Sequence, residues 1–227
     1  MAMEYQWQFG QVLIYWPNFL QGILVTLELA ACLIVTATIG GIIVGSARHS
    51  RKRIYNWPAS IFIEVFRNTP VLVQIIWFYY AFPVLIDVQM PGFVAAVLGI
   101  GLNSVAYSAE VFRAGIQSIE RGQWEAARAI GMQYMAIMRR IILPQAIRRM
   151  IPAFANRMIE IFKATSLASA IAVGELLFRG EELANTIYRP MEIYTIVAIL
   201  FFVLIYPLAP LTYWLEWKLN SKSRRPS

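Results

Sequence analysis

Cysteine and histidine are almost absent from this 227-residue chain, which holds one of each, Cys32 and His49. A single cysteine can form no internal disulfide, so a disulfide-stabilised scaffold is excluded. One cysteine and one histidine also cannot build a structural zinc site or a Cys–His catalytic dyad. Redox and metal-hydrolase chemistry therefore have little support in the composition.

Charge is also scarce, because Asp, Glu, Lys and Arg together make up only 15% of the residues. Hydrophobic residues account for 59%, and the mean hydropathy is +0.56. A soluble domain is typically about 45–50% apolar and about 25% charged. A chain of this size cannot hide so much apolar surface in its own core. The composition indicates an integral membrane protein.

Long apolar runs predict an all-α polytopic membrane protein with one transmembrane domain covering residues 1–227. About 20 apolar residues are needed for a helix to cross a bilayer. Five spans are predicted, at about residues 20–47, 57–82, 91–112, 150–173 and 192–217. The second is interrupted at Arg67–Pro70, and Pro207 and Pro210 are expected to kink the fifth. Gly41 and Gly45 form a small-xxx-small pair that allows close helix packing in the first.

The basic residues predict the orientation, because they accumulate on cytoplasmic loops of membrane proteins. Fifteen of the 20 Lys and Arg residues fall in the loop after the first span, the middle loop 113–149 and the tail. Only Arg179 and Arg189 fall on the opposite side. The N-terminus is therefore expected outside and the C-terminus in the cytoplasm. The net charge of +7 is then a topological bias, and no nucleic-acid partner is expected.

Apolar residues recur at helical spacing in the middle loop, on both sides of Gly131. They are Trp124, Ala127 and Ile130 before it, and Met135, Met138 and Ile142 after it. The pattern predicts two short helices joined near Gly131. From periodicity alone, an amphipathic pair lying flat on the membrane surface is an equal alternative.

The residues of this loop resemble the "EAA" signature of ABC importer permeases: Glu125, Ala126, Ala127, Gly131, Ile141, Leu143 and Pro144. Three further runs resemble the polar amino acid permeases (the histidine, glutamine and glutamate-aspartate type): EVFRNTPVLVQ at 64–74, AYSAEVFRAGI at 106–116 and KATSL at 163–167. The last run has Ala164 where these relatives usually have Asp. The resemblance implies a five-span type I (MetI-like) permease fold, with the EAA loop docking on an ATPase.

The resemblance also implies the partners. The chain has no G-x-x-x-x-G-K-[ST] phosphate loop, so it is not expected to be an enzyme or to bind a cofactor. ATP and Mg would be bound by a separate cytoplasmic subunit, in two copies. A second permease subunit, identical or paralogous, and an extracytoplasmic solute-binding protein complete the expected assembly in a bacterial inner membrane.

Charged residues in the spans are functional candidates, because burying a charge in a membrane is costly. Glu64 and Arg67 are three residues apart before Pro70 and are expected to neutralise one another at the break, with direct contact to the substrate as the alternative. Glu110 and Arg113 have the same spacing and are expected to organise the gate and the coupling loop.

The fourth span carries a polar stripe for the substrate pathway: Asn156, Arg157, Glu160 and Lys163, followed by Thr165 and Ser166, with Asn103 and Tyr107 from the third span. Arg157 stands where many relatives have an acidic residue. An arginine there favours a carboxylate ligand, so we expect an acidic amino acid, glutamate or aspartate, or an amide relative. Alternatively, Arg157, Glu160 and Lys163 neutralise each other, and Asn103 only joins two helices. A transporter driven by an ion gradient is the alternative function, although no internal repeat is present.

Overall fold

The computed structural model describes residues 5–50 and 52–210, together with Thr212 and Trp214. Within these residues the chain is helical and contains no strand. The helices are α1 (Phe9–Leu13), α2 (Trp16–His49), α3 (Arg53–Asn68), α4 (Val71–Ile76), α5 (Phe82–Ile86), α6 (Gly92–Gln117), α7 (Arg121–Ala129), α8 (Tyr134–Ile137), α9 (Leu143–Ala164), α10 (Leu176–Ile187) and α11 (Pro190–Ile205). Two π-helical turns (Trp77–Ala81 and Met138–Ile142) and a 3₁₀-helix (Thr165–Ile171) lie between them.

Three helical stretches among the described residues are long and apolar enough to cross a membrane: Trp16–His49, Gly92–Gln117 and Pro190–Pro210. Two broken pairs pass the same test, Arg53–Asn68 with Val71–Ile86 and Tyr134–Ile171 with Leu176–Ile187. Five spans result if each broken pair crosses once. α11 ends at Ile205, two residues before Pro207. The end of the fifth predicted span lies outside the described residues. So do Arg51 and the basic residues of the tail that follows this span, Lys218, Lys222, Arg224 and Arg225.

The contacts divide the described residues into two compact units. One contains the chain up to Leu33 together with Val71–Ile100 and Ile161–Pro207. The other, called here the second unit, contains Ile34–Pro70, Gly101–Glu160 and the described residues from Leu208 onward. α2, α6 and α9 each contribute residues to both units.

In the second unit, α2 packs against α6 through glycines, as the small-xxx-small pair predicts. A Cβ atom on Gly41 would lie 2.5 Å from the Cβ of Ser108. A Cβ on Gly45 would lie 2.9 Å from the Ala109 carbonyl oxygen and from the Phe112 ring. The two backbones can approach this closely only because neither glycine carries a side chain.

In the first unit, the Glu192 side chain is fully buried in the first turn of α11 and holds the N-terminal segment. Its carboxylate accepts hydrogen bonds from the Tyr5 hydroxyl and, at 3.0 Å, from the Gln8 backbone N–H. Arg189 lies 3.7 Å from the same carboxylate and also donates to the Gln6 carbonyl. The bond to Glu192 raises the pKa of Tyr5, so the phenol stays protonated and remains a donor.

Glu175 is a second fully buried carboxylate of the first unit. It caps α10 by accepting from the backbone N–H groups of Leu177 and Phe178 at 2.9 and 2.8 Å. The Leu176 N–H in turn donates to the Thr26 hydroxyl of α2 at 3.1 Å. Glu175 therefore offers no charge at the surface, because helix capping uses both of its oxygens inside the unit.

Candidate functional site: the polar cluster of the second unit

The end of α3 is held by one face of α6, and Pro70 explains why. Proline has no N–H, so the Phe66 carbonyl lacks the i+4 donor that a continuing helix would provide. The Asn103 side-chain amide donates to this carbonyl at 2.7 Å, and Asn103 is 8% exposed. Thr69 donates to the Val65 carbonyl at 2.8 Å. Asn103 therefore joins two helices, as the alternative for this residue predicts.

Arg67 makes its ion pair with α6 and not with its own helix. Its guanidinium lies 3.6 Å from the Glu110 carboxylate, whereas Glu64 accepts from Asn68 at 3.0 Å. The predicted neutralisation of Arg67 by Glu64 is therefore wrong. Tertiary packing brings Glu110 to the break, and a partner on a neighbouring helix replaces the local one.

Glu110 and Arg113 form the ion pair that their spacing predicts, at 2.7 Å. Arg113 donates to both Glu110 oxygens and, through its other terminal nitrogen, to Gln117 at 2.7 Å. Gln117 is the last residue of α6. The network from Arg67 therefore extends to the point where the middle loop begins.

Arg157 of α9 lies over the aromatic ring of Tyr107, with its guanidinium carbon 4.5 Å from the ring centroid. It is paired with Glu160 at 2.6 Å and donates to the Ser104 hydroxyl at 3.4 Å. Its Nε is buried and has no hydrogen-bond partner among the described residues. The side chain is 14% exposed, so the charge is partly desolvated while one donor is left over.

We call these residues the polar cluster: Arg67, Asn103, Ser104, Tyr107, Glu110, Arg113, Arg157 and Glu160. They come from α3, α6 and α9 and all belong to the second unit. Three arginines face two glutamates, which leaves one excess positive charge.

The remaining candidates of the substrate pathway do not join this cluster. Asn156 is exposed on α9. Lys163, Thr165 and Ser166 belong to the first unit, and Lys163 makes no ion pair within the described chain. Thr165 and Ser166 donate to carbonyls three residues earlier, at 2.7 and 2.9 Å. Their hydroxyls thus complete the turn that follows α9.

The middle loop contains the two predicted helices, α7 and α8, joined at Gly131. Gly131 has φ +77°, and its N–H donates to the Arg128 carbonyl at 2.9 Å. The Met132 N–H donates to the Ala127 carbonyl at 3.1 Å. These two bonds form a Schellman motif, in which glycine is favoured because the left-handed conformation strains other residues.

The EAA residues differ in exposure. Ala127 is 2% exposed and packs in a core with Phe112, Ile137 and Ala146, against which Ile141 and Leu143 also pack. Glu125, Ala126 and Pro144 are exposed. Glu125 is the fifth residue of α7 and lies beyond its first turn, so the helix dipole does not stabilise its charge. Arg149 donates to the Ser118 carbonyl and so ties α9 to the end of α6.

The contact between Arg67 and Tyr107, 5.2 Å from guanidinium carbon to ring centroid, was not expected from the sequence. Pro70 is the sequence feature that indicates a polar contact between α3 and a neighbouring helix, because a carbonyl without its helical donor requires a polar partner from elsewhere. The spacing of Asn103, Tyr107 and Glu110, at i, i+4 and i+7, places all three on one face of α6.

Comparison with known proteins identifies the family. Residues 37–220 match the family described as "Binding-protein-dependent transport system inner membrane component". A probable amino-acid ABC transporter permease protein of Bacillus subtilis, YckA, is 37% identical over 188 residues, covering 83% of each chain. The octopine transport system permease protein OccM of Rhizobium meliloti is 37% identical over 233 residues, covering 94% of this chain and 93% of OccM.

Solved structures agree with this result. A chain from the crystal structure of an amino acid ABC transporter with histidines superposes with a TM-score of 0.89 at 33% identity, covering 94% of this chain and all of that one. A chain of the MetNI methionine ABC transporter shares the fold, with a TM-score of 0.73 at 20% identity, over 90% of this chain and 95% of that one. The chain belongs to the family of binding-protein-dependent transport system inner membrane components, as a permease subunit of the amino acid ABC importers.

Proposed function

We propose that this permease transports an acidic amino acid, glutamate or aspartate, and that Arg157 binds a carboxylate of the substrate. The observation that carries the proposal is the buried Nε of Arg157, a donor with no partner in the described chain. A guanidinium binds a carboxylate through two parallel hydrogen bonds. Glu160 occupies one terminal nitrogen, and Ser104 accepts from the other at 3.4 Å. The hydrogen on Nε and the second hydrogen of the nitrogen that Ser104 contacts are left for the substrate.

The electrostatics of the polar cluster support an anionic substrate. The cluster carries one more positive than negative side chain, and an anionic substrate would supply the missing counterion. A zwitterionic amino acid has no net charge, whereas glutamate and aspartate carry one negative charge. Relatives are named for arginine and for octopine transport, so substrates vary among them, and we propose that the charge of the polar cluster selects the substrate of this chain.

Coupling to ATP hydrolysis is proposed to occur through α7. Glu125 and Ala126 are exposed and available to a cytoplasmic ATPase, while Ala127 fixes the helix to the permease core. Movement of α7 would reach α6 through the short connection at Ser118. Two ATPase subunits, a second permease subunit and an outer solute-binding protein complete the assembly, with the N-terminus outside and the C-terminus in the cytoplasm.

Uptake by the reconstituted importer tests the substrate assignment. Arg157→Glu reverses the charge of the proposed anchor and should abolish uptake of glutamate and aspartate while the protein still assembles. Arg53→Glu is the matched control, because Arg53 is exposed at the start of α3 and should leave uptake unchanged. An unchanged preference for acidic over basic amino acids in Arg157→Glu contradicts the proposal.

A further inference from the structure

The carboxylate of Glu160 uses only one of its two oxygens. Its Oε2 accepts from Arg157 at 2.6 Å, and this is the single hydrogen bond that Glu160 makes within the described residues. The Glu160 side chain is 63% exposed, whereas that of Arg157 is 14% exposed. The Oε1 atom is therefore an accessible acceptor for a group that the described chain does not supply.

Glu160 lies deep in a membrane-spanning segment. It belongs to the bent helix pair formed by Tyr134–Ile171 and Leu176–Ile187. It follows the exposed Arg149 by 11 residues, which corresponds to roughly 16 Å along α9, and the hydrocarbon core of a bilayer is about 30 Å thick. An exposed carboxylate at this depth is costly in lipid, so it faces a water-filled pathway or a polar partner.

Glu160 and Arg157 present opposite charges side by side. A separation of three residues places two side chains on one face of a helix, and the ion pair holds these two together. The Nε of Arg157 is buried without a partner in the described chain, so each member of the pair has an unused hydrogen-bonding atom. One of these atoms is a donor and the other is an acceptor. A ligand that satisfies both carries an anionic and a cationic group close together.

An α-amino acid has this arrangement, because its carboxylate and its ammonium group are attached to the same carbon atom. The carboxylate can accept from the guanidinium of Arg157 while the ammonium group donates to the carboxylate of Glu160. Hydrogen bonds of this charge-assisted kind are stronger than those between neutral groups. We infer that Glu160 binds the α-ammonium group of the substrate, next to an α-carboxylate on Arg157. This role rests on the proposed function, in which Arg157 binds a carboxylate.

The charges balance for an acidic amino acid in this position. Arg157 and Glu160 neutralise its α-carboxylate and its α-ammonium group. The side-chain carboxylate is matched by the excess positive charge of the remaining ion pairs, in which Arg67 and Arg113 share Glu110. The pair on α9 thus recognises what all amino acids have in common, and the rest of the polar cluster favours a negative side chain.

Equilibrium binding to the importer complex, purified without its solute-binding protein, tests the role of Glu160. The ligands are glutamate and glutarate, which is glutamate without the ammonium group, together with arginine and desamino-arginine. Saturation-transfer NMR gives the affinities, because it also detects weak ligands. Glu160→Gln removes the negative charge and keeps an acceptor for Arg157. Glu182→Gln is the matched control, since Glu182 is also exposed and pairs at 2.9 Å with an arginine three residues away, Arg179, in the first unit.

In the wild type and in Glu182→Gln, we expect glutamate to bind about tenfold more tightly than glutarate, as for one hydrogen bond between charged groups. In Glu160→Gln this preference should fall below about twofold. A preference that persists in Glu160→Gln overturns the role of Glu160. Loss of a permease subunit from the Glu160→Gln complex alone, seen by size-exclusion chromatography, would assign the carboxylate to a subunit contact and also overturn it.

The second pair of ligands separates this inference from the proposed function. If the wild type binds arginine more tightly than glutamate, the acidic substrate is wrong, and the preference for arginine over desamino-arginine then measures Glu160 in the same way. If Arg157→Glu abolishes glutamate binding while Glu160→Gln keeps the wild-type preference, the proposed function stands and the role of Glu160 fails. Absence of binding of all four ligands to the wild type overturns both.

Discussion

The guanidinium of Arg157 lies 4.5 Å from the centroid of the Tyr107 ring, and that of Arg67 lies 5.2 Å from the same centroid. Two cations from α9 and α3 thus share one aromatic side chain of α6. Each also has its own carboxylate, Glu160 for Arg157 and Glu110 for Arg67. The ring connects the proposed substrate anchor to the ion pair beside the Pro70 break.

Replacing Tyr107 by leucine should remove both cation–π contacts. Such contacts contribute about 0.5–2 kcal/mol each, depending on desolvation. We expect Tyr107→Leu to lower substrate uptake by several-fold, because Arg157 loses the surface that orients it. Tyr107→Phe retains the ring and should stay near the wild-type rate. Equal loss of uptake in both variants would show that the hydroxyl group, and not the ring, is required.

Asn103→Leu should destabilise the second unit by about 1–2 kcal/mol, because the Phe66 carbonyl loses the hydrogen bond that Asn103 donates across the two helices. The measurement is the thermal unfolding midpoint of the purified complex. Asn68→Leu is the control: it breaks the exposed bond to Glu64 and should change stability by less than about 0.5 kcal/mol. Similar midpoints for the two variants would contradict the assigned role of Asn103.

Replacing Gly41 and Gly10 by alanine should have opposite effects on the free energy of unfolding. The added Cβ at position 41 meets Ser108 at 2.5 Å, so α2 and α6 must separate, at a cost of about 1–3 kcal/mol. At Gly10, in α1, nothing lies within 4 Å, and alanine should stabilise the helix by about 0.5–1 kcal/mol. Unfolding midpoints of both variants check this, and a neutral Gly41→Ala would refute the close packing.

Gly131→Val should weaken the coupling of ATP hydrolysis to uptake, because a β-branched residue at φ +77° is strained by about 1–2 kcal/mol. The junction of α7 and α8 would shift, and with it the exposed Glu125. Gly131→Asn should be milder, since asparagine tolerates the left-handed region. The readout is the amount of substrate taken up per ATP hydrolysed; identical ratios in valine and asparagine variants would count against a positioning role for this turn.

The sequence predicts those features that depend on residues close together in the chain. The apolar runs that form α2 and α6 and the ion pair of Glu110 with Arg113 follow from composition and from spacing along one helix. The pairing of Arg67 with Glu110 depends on tertiary packing, so spacing along α3 indicates the nearer Glu64 instead. The burial of Glu175 also depends on tertiary packing, because the neighbouring Leu176 bonds to Thr26 of α2. α6 ends at Gln117 and α9 begins at Leu143, so both helices reach into the predicted loop 113–149. They do so because these two ends pack in the same core as α7.

Glu192 also bears on how the chain is assembled during synthesis. Its carboxylate is bound by Tyr5, a residue 187 positions earlier, so the contact joins α11 to a segment that is synthesised long before it. A contact between such distant segments forms late, after the intervening helices have entered the bilayer. Until then Glu192 is a charge without its partners at the edge of an apolar helix. We therefore expect α11 to insert into the membrane and the segment around Tyr5 to bind Glu192 in a single step.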